Sequence, residues 1–192
     1  MTSRTKSQWR TAILASRREM DADTRAAEAD ALAAAAREIG VTLGADATVC
    51  AYVPVGREPG SVAMLDALAG VVGRVLLPVA REPGPLEWAP YRGADALVTA
   101  PYGLKEPAPP FLPPDVVAEA ALLLVPALAV DRRGVRLGRG AGFYDRTLAL
   151  ASGPRLVAVV RDTEFVDELP EDPHDVRMRE VLTPRGGLRT LE

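Results

Sequence analysis

The sequence predicts a three-layer α/β/α domain with a mostly parallel sheet, helices on both faces and an N-terminal helical arm. Three observations support this. Short β-rich apolar runs alternate with helix-like segments along most of the chain. One of those runs, Leu122–Val125, is apolar without interruption, as a strand covered on both faces must be. Two helix-like stretches come before the first strand-like run. The chain has 192 residues, with no internal repeat and no flexible linker, so residues 1–192 are expected to form one domain.

In chain order, Ser3 to about Met20 places Trp9, Ile13 and Leu14 on one helical face among basic residues. Asp23 or Thr24 can cap a second helix through the alanine-rich segment to Ile39, with Gly40 as a stop signal. The run TVCAYV at 48–53 is β-rich and ends at Pro54, and Ser61 to about Val72 reads as an amphipathic helix. Val75–Val79 is a second apolar strand closed by Pro78, and Leu86–Tyr91 alternates like a half-exposed strand. Ala89–Pro114, rich in proline and glycine, reads as an ordered surface loop that Tyr102, Leu104 and Phe111 can pack. Beyond Leu122–Val125 come a glycine-rich loop, a helix at Phe143–Leu150, a buried strand at Leu156–Val160 and a short last strand at Val181–Thr183.

Composition narrows the function classes. Hydrophobic residues make up 48% and charged residues 26%, the balance of a globular protein. A net charge of −3 gives no basic excess for tracking a phosphate backbone, so no nucleic-acid partner is expected and any polyanion site must be local. The longest apolar run, Ala120–Val130, is broken by Pro126 and is too short to span a bilayer, and the charged N-terminus has no apolar secretory core. A cytoplasmic protein without a membrane partner is expected. Cys50 is the only cysteine, which excludes an intramolecular disulfide and suits a small buried residue on a strand.

The segment Arg136–Arg146, RLGRGAGFYDR, carries the clearest chemistry. Gly138, Gly140 and Gly142 let the backbone approach a ligand, while Arg136, Arg139 and Arg146 supply charge. The helix that follows offers free N–H groups to an anion. A nucleotide polyphosphate fits these features, although a glycine-rich turn with solvated arginines fits the composition too. The loop lacks the Gly-Lys-Ser/Thr ending of a P-loop, and Phe143 stands where the dinucleotide fingerprint needs glycine. Lys6 and Arg10, four apart on the first helix, can grip one phosphate chain together. Asp145, and Asp175 after the single histidine His174, can reach a phosphate-bound magnesium ion. Glu58 follows a strand end, where open α/β sheets place ligands, and a carboxylate there can accept from an aminopyrimidine-like ring. YGLKEP at 102–107 either lines a cleft or holds the long loop.

Taken in order, Lys6-x-x-x-Arg10, YVPVGREP at 52–59, YGLKEP at 102–107, VPALAVDRRGVRLGRGAGFYDR at 125–146 and LPEDPHD at 169–175 resemble the 5-formyltetrahydrofolate cyclo-ligase family over nearly the whole chain. The resemblance implies ATP- and Mg2+-dependent conversion of 5-formyltetrahydrofolate to 5,10-methenyltetrahydrofolate, with release of ADP and phosphate, by a monomer. It implies ATP contacts from Lys6, Arg10 and the loop Arg136, Leu137, Gly138, Arg139, Gly140, Ala141, Gly142, Phe143 and Tyr144. It implies folate contacts from Val53, Glu58, Tyr102 and the Arg139–Phe143 stretch, with Trp88 as a further packing residue. Asp145 and Asp175 become magnesium ligands, and Arg139 the catalytic residue that neutralises the phosphoryl group in transit.

The chain departs from the family pattern at Val130, Ala141, Phe143 and Glu164. Val130 and Ala141 keep the character of their sites, whereas a carboxylate at 164, where glutamine is usual, would repel phosphate or glutamate if it faced them. Two other readings remain at this point: a non-catalytic nucleotide- or folate-binding relative, and, by fold analogy alone, a sugar-phosphate isomerase-like protein.

Overall fold

A computed structural model describes residues 4–81, 84–99 and 105–192. Helix α1 (Lys6–Glu19) starts at Thr5, whose hydroxyl accepts from the Gln8 N–H at 3.2 Å while the Gln8 side chain accepts from the Thr5 N–H at 2.8 Å. Helix α2 (Ala22–Leu43) is capped by Asp21, which accepts from the Thr24 N–H at 2.8 Å, so the predicted cap at Asp23 or Thr24 lies inside the first turn. The helix also runs through Gly40 to Gly44, whose φ of 93° ends it. Gly40 is a contact point rather than a stop: a Cβ there would lie 2.6 Å from the Val71 Cγ2, just beyond α3 (Val62–Ala69).

The central sheet comprises β1 (Thr48–Cys50), β2 (Arg74–Val79), β3 (Glu87–Pro90), β6 (Leu122–Pro126), β9 (Arg155–Val159), β11 (Glu180–Thr183) and β12 (Gly187–Thr190). Their spatial order is β12-β11-β9-β6-β1-β2-β3. The inner pairings are parallel, and β3 and β12 close the two edges antiparallel. Alternation divides each inner strand between two cores. Val49, Val75, Leu77, Leu122, Leu124, Val157, Val159 and Leu182 face α2 and α3. Cys50, Leu76, Leu123, Val125, Leu156, Ala158 and Val181 face the opposite layer, which holds α4 (Phe143–Leu148) and a 3-10 segment at Pro114–Glu119. The three-layer prediction therefore holds, and Cys50 is fully buried, with its thiol pushed up to about 12 by burial.

Several boundaries differ from the sequence reading for physical reasons. Trp88 and Ala89 are both fully buried, because β3 pairs with β2 on one side and Trp88 also bridges to Leu112, so this strand is not half-exposed. Within the predicted long loop, β4 (Leu97–Thr99) and β5 (Lys105–Pro107) form an antiparallel pair. A small second sheet comprises β7 (Ala129–Asp131), β8 (Arg136–Leu137), which opens the glycine-rich segment, and β10 (Phe165–Val166), which follows it. β7 and β8 pair as a local antiparallel hairpin, whereas the parallel pairing of β10 with β7 joins residues far apart in sequence that no local pattern announces.

The small sheet is the seat of α1. Ile13, Leu128, Ala129, Val135, Leu137 and Leu169 form a third apolar cluster, with Trp9 and Leu14 packed against it, as the shared helical face predicted. A charge pair fixes the seat. The Arg17 Nε donates to Glu164 Oε1 at 2.6 Å and Arg17 Nη2 to Oε2 at 2.8 Å, with the side chains 3% and 5% exposed. Arg17 Nη2 also donates to the Ala127 carbonyl at 2.8 Å, and Glu164 Oε2 accepts from the Arg161 N–H at 2.9 Å. Arg161 reaches on to Glu28 of α2 at 2.8 Å, while Arg57 donates to the terminal carbonyls of α1 at Arg17 and Met20. This corrects the expectation for Glu164: its charge is consumed inside the fold and repels no ligand.

Breaking a buried bidentate pair from one side leaves an uncompensated charge. Glu164→Ala is therefore expected to cost about 3–5 kcal/mol in urea unfolding, whereas the double change Arg17→Met with Glu164→Leu costs much less than the single one. Equal losses for single and double variants would contradict a buried charge pair.

Candidate active site

The parallel strands β1, β2 and β6 deliver their carboxyl ends to one edge of the domain, where a cleft with two lobes opens. The first lobe, about 200 Å³, is lined by Arg136, Gly138–Asp145 and Ala127–Leu128. The second, about 180 Å³, is lined by Tyr52, Val53, Val55, Pro78, Ala80, Lys105 and Glu106. Glu58, Leu86, Pro126 and Tyr144 border both lobes, so the two spaces meet at one wall.

The glycine loop runs from β8 into α4. Gly140 and Gly142 have φ of 100° and 76°, a region that side chains with a Cβ adopt only under strain, so the backbone can wrap the first lobe. Helix α1 braces this loop: the Arg10 Nε donates to the Gly138 carbonyl at 2.9 Å. Arg136, 8% exposed, donates through Nη2 to Asp145 Oδ1 at 2.5 Å, and its guanidinium lies 5.8 Å from the Tyr144 ring centroid. The Arg139 Nε donates to Glu58 Oε1 at 2.9 Å, and Glu58 Oε2 accepts from the Val55 N–H at 2.9 Å. Tyr144 presents a buried hydroxyl with no hydrogen-bond partner among the described residues. Burial first, and then the charge of Glu58, push this phenol well above its ordinary value, so it stays protonated and able to donate.

Lys6, one turn before Arg10, points the other way. Its Nζ donates to Asp172 Oδ2 at 2.6 Å and to Asp175 Oδ2 at 2.7 Å, and Asp175 also accepts from the Asp172 N–H at 2.8 Å. Burial pulls the ammonium pKa down, but the hydrogen bonds and charges of Asp172 and Asp175 outweigh it and leave Lys6 above its ordinary 10.5. Lys6, by hydrogen bond and then by charge, holds the Asp172 carboxyl below 3.8. Asp172, His174 and Asp175 each place one ligand atom within 4.8 Å of the others, and the two carboxylates are hard oxygen donors of the kind magnesium takes. Asp145 is outside that group and lines the first lobe.

Most of the residues singled out in the sequence lie on this cleft. Arg136, Gly138, Arg139, Gly140, Ala141, Gly142, Phe143, Tyr144 and Asp145 line the first lobe, Val53 the second, and Glu58 both. Lys6 and Arg10 line neither lobe; Arg10 holds the loop backbone and Lys6 the two aspartates. Leu137, 2% exposed, turns its side chain into the small-sheet cluster, and its carbonyl accepts from the Leu128 N–H at 2.7 Å. Trp88 is fully buried in the second core and cannot pack against a ligand in either lobe. Tyr102 lies outside the described residues.

The sequence reading missed Leu86, Pro126 and Asp172. Pro126 ends a buried parallel strand, a position that itself points to a ligand edge. Asp172 stands three residues before Asp175, close enough to share a cation. Leu86 carries no such signal.

Comparisons with known proteins point to one family. The family model described as the 5-formyltetrahydrofolate cyclo-ligase family matches residues 2–184. A 5-formyltetrahydrofolate cyclo-ligase of Mycolicibacterium smegmatis is 53% identical over 197 residues, covering 100% of both chains. One from Escherichia coli is 29% identical across 71% of this chain and 78% of its own. In structure, the 5,10-methenyltetrahydrofolate synthetase of Aquifex aeolicus superposes with a TM-score of 0.75 at 23% identity, over 97% of this chain and 93% of the other, which shows a shared fold.

The Lys6 cluster has a pH signature. A carboxyl with a depressed pKa is charged and paired above its unfolded value of 3.8 and loses that support only as pH falls through the lower, folded value. Carbon-13 NMR titration should place the Asp172 midpoint below 3.8 in the native protein and nearer to 3.8 in Lys6→Met. The same midpoint in both proteins would rule out the ion pair in solution.

Proposed function

Because the chain belongs to the 5-formyltetrahydrofolate cyclo-ligase family, we propose a division of its cleft into a phosphate lobe and a pterin lobe that meet where the chemistry occurs. The activity is the ATP-dependent conversion of 5-formyltetrahydrofolate to 5,10-methenyltetrahydrofolate, a ligase reaction of folate and one-carbon metabolism. The observation that carries the division is the common wall of Glu58, Leu86, Pro126 and Tyr144 between a cationic glycine loop and a largely apolar lobe. A cleft of that form suits two substrates that react with each other.

In this reading, the loop Gly138–Phe143 cradles the ATP phosphates, Arg136 and Arg139 supply charge, and Arg10 keeps the loop in place. Lys6 joins the phosphate chain from α1. Val53 and Glu58 receive the pterin, Glu58 accepting from the exocyclic amine and the adjacent ring N–H. The carboxylates of Asp145 and Asp175 would hold Mg2+ beside phosphate oxygens, where the ion would neutralise charge on the triphosphate. The Tyr144 hydroxyl, without a partner among the described residues and sited in the shared wall, supports a ligand oxygen at that point, since a buried donor left alone is costly.

The chemistry follows from a poor leaving group. The N5 lone pair of the folate pushes electron density through the formyl group, whose oxygen attacks the γ-phosphorus as the bond to ADP breaks. The folate N10 then adds to the formyl carbon and loses its proton, and phosphate departs with the former formyl oxygen. The methenyl cation remains, its charge shared between N5 and N10. The cleft contributes positioning and charge neutralisation, which dominate phosphoryl transfer, and no nucleophilic side chain is needed. Burial makes Cys50 unsuited to such a role, with its thiol pushed up to about 12.

A single copy contains every residue used here, and we read the protein as a monomer acting on small molecules in the cytoplasm. No helix among the described residues is long and apolar enough to cross a membrane.

Purified protein with MgATP and 5-formyltetrahydrofolate should give the methenyl product absorbance together with one phosphate per turnover. Ligand binding without ATP consumption would instead indicate a non-catalytic relative. Arg139→Ala is expected to lower kcat by about 100-fold or more while the circular dichroism spectrum is unchanged. Undiminished turnover would remove Arg139 from the phosphoryl transfer step.

A further inference from the structure

Glu58 and Arg139 have been given separate tasks, yet in the free protein they hold each other. Glu58 is the only carboxylate among the described residues that borders both lobes. Its two oxygens are both engaged, Oε2 by the Val55 N–H and Oε1 by the Arg139 Nε, each at 2.9 Å. The Glu58 side chain is 11% exposed and tied to its own turn, so it is the fixed partner. Arg139 is 52% exposed and sits on the glycine loop between Gly138 and Gly140, so it is the partner free to swing.

The pterin edge is an array of N–H donors and needs the oxygen that Arg139 now occupies. The phosphoryl group in transit needs a cation that Glu58 now neutralises. One guanidinium cannot serve both at full strength, and a carboxylate this enclosed is costly to leave without a donor. We infer that Glu58 is the positioning residue of Arg139: it holds the guanidinium in the wall of the cleft until the pterin takes its place, and arrival of the folate then releases Arg139 to the phosphates. This rests on the assignment of Glu58 to the pterin and of Arg139 to the phosphates.

The exchange makes the two substrates cooperative. Folate binding frees a cation for ATP, and by linkage ATP must favour folate by the same factor. It also keeps the phosphate lobe short of one charge while no formyl acceptor is present, which protects ATP from water.

Binding measurements with a non-hydrolysable ATP analogue and with 5-formyltetrahydrofolate separate the possibilities. Glu58→Gln retains an oxygen for the Val55 N–H but loses the charge that detains Arg139. Without folate, this variant is expected to bind the analogue about 2- to 5-fold more tightly than wild type, the fold-change equivalent of an exposed ion pair. The tightening that folate produces in wild type should disappear. Arg139→Gln, the second variant, is expected to bind folate more tightly than wild type, because no guanidinium has to be displaced. A merely structural ion pair would strengthen neither ligand. Unchanged or weaker analogue binding by a folded Glu58→Gln, or unchanged or weaker folate binding by Arg139→Gln, would overturn the exchange. If Glu58→Gln loses folate affinity but gains none for the analogue, the exchange fails and the pterin assignment stands. If its folate affinity is unaltered, the pterin assignment itself fails.

Discussion

The bidentate pair between Arg17 and Glu164 is the contact on which the cleft depends. Helix α1 carries Lys6 and Arg10, and it is seated on the domain by a small apolar cluster together with this pair, which is far more deeply buried than the Lys6 ion pairs. Apolar contacts alone would allow the helix to slide or rotate at little cost, since they are not directional. Two short N–H to oxygen bonds in a fork geometry do not allow it. The pair therefore sets the register of α1, and the register of α1 decides that Arg10 meets Gly138 and Lys6 meets Asp172 and Asp175.

The same network spreads to the other side of the cleft. Arg161 links Glu164 to Glu28 and donates to the Arg57 carbonyl, and Arg57 in turn caps α1. Glu58 is the next residue in the chain. A buried set of arginines and carboxylates thus fixes both the helix that braces the glycine loop and the turn that presents Glu58 to the cleft. The charges nearer the cleft, Arg139 and Lys6, are more exposed than Arg17 and Arg161, so their ion pairs are less confined.

Much of the architecture was legible in the residues because its signals are local. Leu122–Val125 has no polar position to turn to solvent, so it had to be an inner strand, and β6 lies between β1 and β9. Trp9, Ile13 and Leu14 marked the seated face of α1. The glycine loop announced itself because positive φ and clustered arginines are written in residue types. Other features were not legible. Gly40 looks like a helix stop until α3 is seen packed against it, and β12 contains no run of apolar residues because it is an edge strand paired on one side only.

By itself the sequence determined the layered α/β class, the glycine and arginine composition of the loop, and the ordered motifs that mark the cyclo-ligase family. Those follow from periodicity, from backbone freedom and from short-range spacing, all properties of neighbouring residues. The tertiary structure alone decided which charges are spent and which are available. Glu164 read as a hazard to a ligand and is a buried structural anion; Glu58 and Arg139 read as independent and are partners. Charge is written in the sequence, but its neutralisation is settled by residues 81 to 147 positions away, and only the fold brings them within hydrogen-bonding distance.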